Sequence, residues 1–193
     1  MWTTVFLAPL SLFSAHPLLN SAGLLFVVEA ILILQPTHTK SQKRDGTLTH
    51  ASLNAAAMSS LVAAAVVIIY NKFSHGAPHF TSAHGRMGLV TYIILIIQAV
   101  VGFTQYFVPA LYGGVDNAKS VYKYHRMSGY VVLILMFATV AAATYTPTVQ
   151  NMLKIRLWSV VVCAVLVLVG IIPRIKKQKF GLTGPRPSGA FGQ

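Results

Sequence analysis

Four short stretches decide the fold of this chain: HPLLN at residues 16–20, HASLN at 50–54, HGRMG at 84–88 and HRMSG at 125–129. Each begins with a histidine, and each stands at the start of a long apolar run. The residue four positions after the histidine is Asn in the first two stretches and Gly in the last two. Because positions i and i+4 lie on one face of a helix, each histidine is predicted to have a short or small neighbour one turn along its own face.

The composition indicates an integral membrane protein. Of the 193 residues, 55% are hydrophobic and only 9% are charged, whereas a soluble domain usually has about 25% charged residues. The apolar residues form runs of about 20, the length that crosses a bilayer as a helix. The net charge of +12 does not indicate nucleic acid as a partner, because Lys and Arg are concentrated between the runs. The single cysteine, Cys163, excludes an internal disulfide and a Cys-based metal or iron–sulfur site within one chain.

An all-α protein with five membrane spans is predicted, at residues 14–34, 50–70, 84–107, 125–146 and 157–175. Residues 1–13 are apolar, too short to span and interrupted by Pro9, so they are predicted to form a partial or truncated helix. Residues 14–175 make the transmembrane domain; the family resemblance described below implies that its first four spans form the core and that its fifth is peripheral. Residues 176–193 are a basic tail rich in Gly, Pro and Ser, which we expect to be disordered.

Basic residues near the span ends are unequally divided, and this asymmetry predicts the orientation. The side with the larger number carries eleven of them, and the other side carries four. The loop after the first span, the loop after the third span and the C-terminal tail are therefore predicted to lie in the cytosol. The eleven are Lys40, Lys43, Arg44, Lys119, Lys123, Arg126, Arg174, Lys176, Lys177, Lys179 and Arg186, and the four are Lys72, Arg86, Lys154 and Arg156.

The orientation of the spans sorts the four histidines into two pairs. Odd and even spans run in opposite directions, so His16 and His84 share the non-cytosolic side, and His50 and His125 share the cytosolic side. Two neutral imidazoles from facing helices are the axial ligands of a haem held in a bundle core. One histidine at a span end is more often an interfacial residue, but four with matched sides favour ligation. The sequence thus predicts two b haems with no open iron position, which carry electrons.

Several neighbours of the histidines have two interpretations each. Arg86 and Arg126 are predicted to meet haem propionates, although a snorkelling side chain at the interface explains them equally well. Asn20 and Asn54 are predicted to hydrogen-bond around the ligands, or else to join helices. Glu29 lies inside the first span, where an acid is costly and usually functional, and we interpret it as a packing residue.

Gly88 and Gly129 each follow a predicted ligand by one turn. One interpretation is that the missing Cβ makes room for the porphyrin edge. The other is helix packing, which membrane helices achieve with small residues. We expect the first.

Basic residues at the cytosolic side are candidates for contact with an anionic electron donor. Lys40, Lys43 and Arg44 precede the second span, and Lys119 and Lys123 precede the fourth. The alternative is that these residues only set the topology.

Two loop histidines, His75 and His79, precede His84 on the non-cytosolic side. They are candidates to bind an acceptor or a metal ion, and His79 is the better one because it stands five residues before a predicted ligand. As loop residues, both also fit a solvated role.

These features resemble the cytochrome b561 family of transmembrane ascorbate-dependent oxidoreductases over about residues 11–180. The resemblance implies two b haems with the pairs His16–His84 and His50–His125, ascorbate as cytosolic donor, monodehydroascorbate or ferric iron as acceptor, and a homodimer. The chain departs from the family in its shortened first helix and in the adjacent rather than spaced pair Lys43 and Arg44. The matching stretches are His16-Pro17 with Glu29-Ala30, the basic loop before His50, His79 through His84-Gly85, and Tyr124-His125 with Ser128-Gly129.

Two other functions fit the same pattern. A haem b anchor of a respiratory complex would take quinol as donor and need a partner subunit. A haem-free transporter or structural membrane protein would use the histidines to bind metal or to line a path. A multi-pass location in the plasma membrane or an endomembrane fits all three.

Overall fold

The computed structural model describes residues 2–175, and this part of the chain is helical without strands. Five of its helical segments are long and apolar enough to cross a membrane, which confirms the predicted all-α, multi-pass architecture. The predicted tail from residue 176 lies outside the described residues. The helices are α1 (Trp2–Leu7), α2 (Leu12–Ile33), α3 (Lys40–Ser74), α4 (Ala83–Phe107), α5 (Val115–Ser120), α6 (Tyr122–Ala143) and α7 (Leu157–Ile171), with short 3-10 helices at Pro109–Tyr112 and Ile172–Arg174 and a π-helical turn at Val149–Leu153.

The bundle consists of two antiparallel helix pairs. Helix α2 packs along α3, and α4 packs along α6, whereas contacts between the two pairs are few. Helix α7 lies against α6 at the outside of the bundle. Where the helices do meet, the centre is filled by a fully apolar cluster that includes Leu61, Leu95 and Leu133. The core histidines therefore lie in a bundle whose two halves are joined mainly near its middle.

Helix α3 begins at Lys40, ten residues before the predicted span, so the prediction of a loop at Lys40, Lys43 and Arg44 is wrong. Thr39 and Gln42 form a reciprocal capping box, with Thr39 Oγ1 accepting from the Gln42 amide at 3.1 Å. Such a box satisfies two otherwise unpaired amides at a helix start. Gly46, which follows Asp45 as in a turn, is instead buried, and an added Cβ would lie 2.9 Å from Thr37 Cγ2. It permits close packing within a helix.

The other boundaries differ from the predicted spans by smaller amounts. The predicted loop before the fourth span contains α5, and α6 ends at Ala143. The last span is α7 followed directly by the 3-10 turn Ile172–Arg174. Pro173 lacks the amide that would continue the α-helix, which explains the change of helix type.

The short apolar stretch at the N-terminus forms α1 and lies beside α2. The indole Nε1 of Trp2 donates to Ser21 Oγ at 2.7 Å. Val5 is completely buried against Val149 and Leu153 of the segment between α6 and α7. Helix α1 thus packs on the same end of the bundle as the start of α2.

Close packing of α2 on α3 predicts a strong effect of enlarging Gly23. An added Cβ there would lie 2.7 Å from Leu61 Cγ, and overpacking of a filled core costs about 1–3 kcal/mol. Gly23→Leu should therefore lower the thermal unfolding midpoint of the detergent-solubilised protein. The matched control is Gly170→Leu on α7, because nothing lies within 4 Å of a Cβ at that position. Equal midpoints for the two variants would contradict the packing described.

Candidate functional site

The four histidines form two pairs at opposite ends of the bundle. At one end, His16 on α2 faces His84 on α4, with ring centroids 6.3 Å apart and ring planes at 80°. At the other end, His50 on α3 and His125 on α6 are near neighbours. Each pair takes one histidine from α2 or α3 and one from α4 or α6. The structure therefore brings together the residues that the sequence paired, across the gap between the helix pairs.

Three of the imidazoles are oriented by a backbone carbonyl of the neighbouring helix. The Nδ1 atom lies 3.0 Å from Ala64 O in His16, 2.7 Å from Ala30 O in His50 and 2.9 Å from Thr139 O in His84. A carbonyl oxygen only accepts, so Nδ1 carries the proton in each case. The lone pair is then on Nε2, which is the arrangement that binds a metal through a fixed ring.

The bonds of α2 and α3 are reciprocal. Ala30 follows His16 by 14 residues, and Ala64 follows His50 by 14. Each helix thus supplies an imidazole near its start and the carbonyl acceptor for its partner's imidazole near its other end. Thr139 likewise follows His125 by 14 residues and accepts from His84. This 14-residue spacing is a sequence signal for the acceptors.

The donor set fits a haem better than a bare ion. Two metal–nitrogen bonds of about 2 Å each fit within the 6.3 Å separation of the His16 and His84 rings. A structural metal ion takes about four protein ligands, but His, Cys, Asp and Glu do not gather in groups of three or more within residues 2–175. A porphyrin supplies the remaining four nitrogens.

Tyr92 joins the two helix pairs between the histidine sites, and no motif or spacing in the sequence distinguishes it from other tyrosines. Its hydroxyl on α4 donates to Asn20 Oδ1 at 3.0 Å and to Leu61 O at 2.7 Å in a shared hydrogen bond. The amide of Asn20 in turn donates to His16 O at 2.8 Å. Asn20 therefore lies beside His16 and also connects helices.

Asn54 is the counterpart of Asn20 on α3. Its amide donates to His50 O at 2.8 Å and lies 3.2 Å from His50 Nε2, the nitrogen that a metal would take. Arg126 is half-buried and has Tyr130 as an electrostatic neighbour, whereas Arg86 is exposed at the start of α4. Neither position distinguishes a propionate partner from an interfacial residue.

Two sequence-based interpretations need correction. A Cβ on Gly129 would lie 3.1 Å from Gln98 Nε2, and one on Gly88 would lie 3.8 Å from Thr139 Cγ2. Both glycines face the neighbouring helix of their own pair, which favours the packing interpretation over room for a porphyrin edge. Glu29 is exposed on α2 and is not packed inside the described bundle.

The candidate substrate residues lie at the two ends. Lys40, Lys43 and Arg44 are exposed on the first turns of α3, at the His50–His125 end. Lys119 on α5 forms an exposed salt bridge with Asp116 at 3.2 Å, which offsets part of its charge.

The opposite end has a shallow opening of about 360 Å³ lined in part by Phe13, Asn71 and His75. The Phe13 ring lies 6.1 Å from that of His16. His79 is exposed in the α3–α4 connection, next to Phe80. An aromatic ring therefore connects this opening to one of the paired histidines.

Two comparisons with known proteins agree with this arrangement. Residues 15–151 match the family described as eukaryotic cytochrome b561. The mouse plasma membrane ascorbate-dependent reductase CYBRD1 is 32% identical over 133 residues, which is 67% of this chain. The chain spans less than half of that relative, since the match covers 43% of its length.

The shared hydrogen bond of Tyr92 predicts that Tyr92→Phe destabilises the bundle. A buried hydrogen bond contributes about 0.5–1.5 kcal/mol, and an acceptor left unpaired costs more. The thermal unfolding midpoint should fall, while Tyr70→Phe, at an exposed tyrosine on α3, should leave it unchanged. A midpoint equal to that of the unaltered protein would mean that Tyr92 does not connect the helix pairs.

Proposed function

Because this chain belongs to the cytochrome b561 family, we propose that it carries single electrons across a membrane, from ascorbate through two b haems to an acceptor on the other side. The observation that carries the proposal is the presence of one histidine pair at each end of a membrane-spanning bundle. Along α2, His16 and the carbonyl that holds His50 are separated by 14 residues, or about 21 Å at 1.5 Å per residue. Two sites at this spacing divide a membrane crossing into short steps.

His16 and His84 would hold one haem, and His50 and His125 the other. A b haem with two histidine ligands exchanges single electrons between its ferric and ferrous states and has no position for oxygen. The chain's own contribution is orientation: carbonyls of Ala30, Ala64 and Thr139 fix three of the rings. The apolar cluster around Leu61 and Leu133 excludes water from the region between the sites.

The His50–His125 end is the proposed cytosolic, donor-binding end. Ascorbate is an anion at neutral pH, and the three exposed cations on the first turns of α3 are suited to attract it. Their place on a capped helix holds Lys40, Lys43 and Arg44 in fixed relative positions. Lys119 is expected to contribute less, because Asp116 already pairs with it. Orientation by the positive-inside rule puts the C-terminus on the same side.

The His16–His84 end is the proposed acceptor end. The opening beside Phe13 gives a small molecule access to the neighbourhood of His16, and His79 is an exposed candidate contact. Monodehydroascorbate and ferric iron are the proposed acceptors, since both accept one electron. The name of the mouse relative describes an ascorbate-dependent reductase of the plasma membrane, which supports the donor. A homodimer is proposed from the family resemblance.

The histidine pairs predict two haems per chain. A pyridine haemochromogen assay on purified protein should give two haems. His16→Ala and His50→Ala should each retain one haem, and the absorption spectra of the two variants should differ. His38→Ala, at an exposed histidine in the α2–α3 turn, should keep both haems. One haem or none in well-folded unaltered protein would contradict the proposed pairing.

The donor end predicts salt-sensitive reduction by ascorbate. Replacing Lys40, Lys43 and Arg44 with Gln should slow reduction severalfold and leave the absorption spectrum unchanged, as measured by stopped-flow absorbance. The difference should shrink with added salt, because exposed charges are screened beyond about 8 Å at physiological ionic strength.

The matched control for this experiment is Lys154→Gln with Arg156→Gln, because these cations lie at the opposite end of the bundle. This control should be reduced at the rate of the unaltered protein. Equal reduction rates in the α3 variant and the control variant would assign the α3 cations to topology alone. Reduction by quinol but not by ascorbate would favour an anchor subunit of a respiratory complex.

A further inference from the structure

His125 is held differently from the other three histidines. Its Nδ1 is buried and has no hydrogen-bond partner among the described residues. By the spacing that the other three acceptors share, the carbonyl opposite His125 would be that of Gln98, which follows His84 by 14 residues. Gln98 contacts His125 in another way, because its side-chain Nε2 donates to the His125 carbonyl at 2.6 Å.

Gln98 anchors the first turns of α6 rather than the imidazole. Its Oε1 accepts from Ser128 Oγ at 2.7 Å. The Gln98 side chain therefore bonds both the backbone of His125 and the side chain of Ser128. Gln98 is itself on α4, the partner helix of α6. It therefore fixes where the backbone of His125 lies relative to α4.

The His125 ring lies directly against the backbone of Gly102. A Cβ at position 102 would lie 2.7 Å from His125 Cε1, 3.2 Å from Nε2 and 3.5 Å from Nδ1. Gly102 follows Gln98 by one helical turn. The corresponding positions opposite the other three histidines lie one helical turn after Ala30, Ala64 and Thr139. All three have side chains: Leu34, Ile68 and Ala143. Glycine occurs at this register only opposite the one imidazole that lacks a carbonyl partner.

We propose that Gly102 and Gln98 are positioning residues that form the seat of His125. Gly102 sets the position of the ring by close contact, and Gln98 sets the position of the backbone. The other three rings are set by carbonyl bonds. This inference rests on the proposed function, because it assumes that His125 is a haem ligand.

The seat also distinguishes the two haem sites chemically. A hydrogen bond from Nδ1 to an acceptor raises the basicity of a histidine ligand and stabilises the oxidised metal. Both ligands of the His16–His84 site have such an acceptor, whereas only His50 has one at the other end. The haem at the His50–His125 site should therefore have the higher reduction potential of the two.

The test is Gly102→Ala, compared with Gly88→Ala on the same helix. The imidazole is the end of a side chain with two rotatable bonds, so an added methyl group should move the ring and leave the helix in place. A Cβ at position 88 meets only Thr139 Cγ2, at an ordinary 3.8 Å. Haem content, size-exclusion behaviour and a redox titration of each haem are measured, and the His16→Ala variant identifies the signal of the His50–His125 haem.

We expect Gly102→Ala to remain folded and to lose the His50–His125 haem, or to keep it with a shifted potential, while the other haem and the Gly88→Ala control stay unchanged. Two haems at unaltered potentials in Gly102→Ala would overturn the inference. If that variant does not fold, Gln98→Leu replaces it and should shift the potential of the same haem alone; unchanged potentials would again overturn it. Fewer than two haems in the unaltered protein would instead reject the proposed function.

Discussion

A hydrogen bond from an imidazole to a backbone carbonyl of the neighbouring helix is the interaction on which this arrangement depends. A polar ring inside a membrane bundle must find its partner within the protein, because an unpaired group there costs free energy. His16, His50 and His84 meet this requirement through Nδ1, and Ala64, Ala30 and Thr139 supply the oxygen. Satisfying the ring in this way also determines its tautomer and leaves the lone pair on Nε2.

The same bonds explain why the bundle is built as two pairs rather than as four equivalent helices. The reciprocal bonds of His16 and His50 hold α2 against α3, where Gly23 also permits close contact with Leu61. The pairs are then connected by few residues, of which Tyr92 reaches both α2 and α3 through hydrogen bonds. A bound macrocycle at each end would add two further connections, so cofactor binding and the assembly of the bundle are expected to be coupled.

The two ends of the bundle differ in charge and in the environment of the histidines. Exposed cations on the first turns of α3 mark one end, and the aromatic and polar opening beside Phe13 marks the other. The His50–His125 end also contains the one ring that rests on a glycine backbone without an Nδ1 acceptor. These differences make the two ends of the bundle inequivalent, so a donor and an acceptor can bind at different ends.

The sequence by itself determined the membrane class, the number of long apolar helices, the family and the pairing of the histidines. The family follows from the resemblance of the histidine-containing stretches to its motifs, and the other three follow from the length of the apolar runs or the direction in which successive spans run. The sequence predicted a basic loop before His50 where α3 has already begun at Lys40, because the polar residues there lack the apolar run of a membrane span. It also assigned Gly88 and Gly129 to the porphyrin. Only the tertiary structure decided that these two face a neighbouring helix, that Gly102 lies under His125 and that Tyr92 connects the pairs. The direction in which a Cβ or a hydroxyl points depends on the rotation of each helix about its axis, and packing against the other helices fixes that rotation.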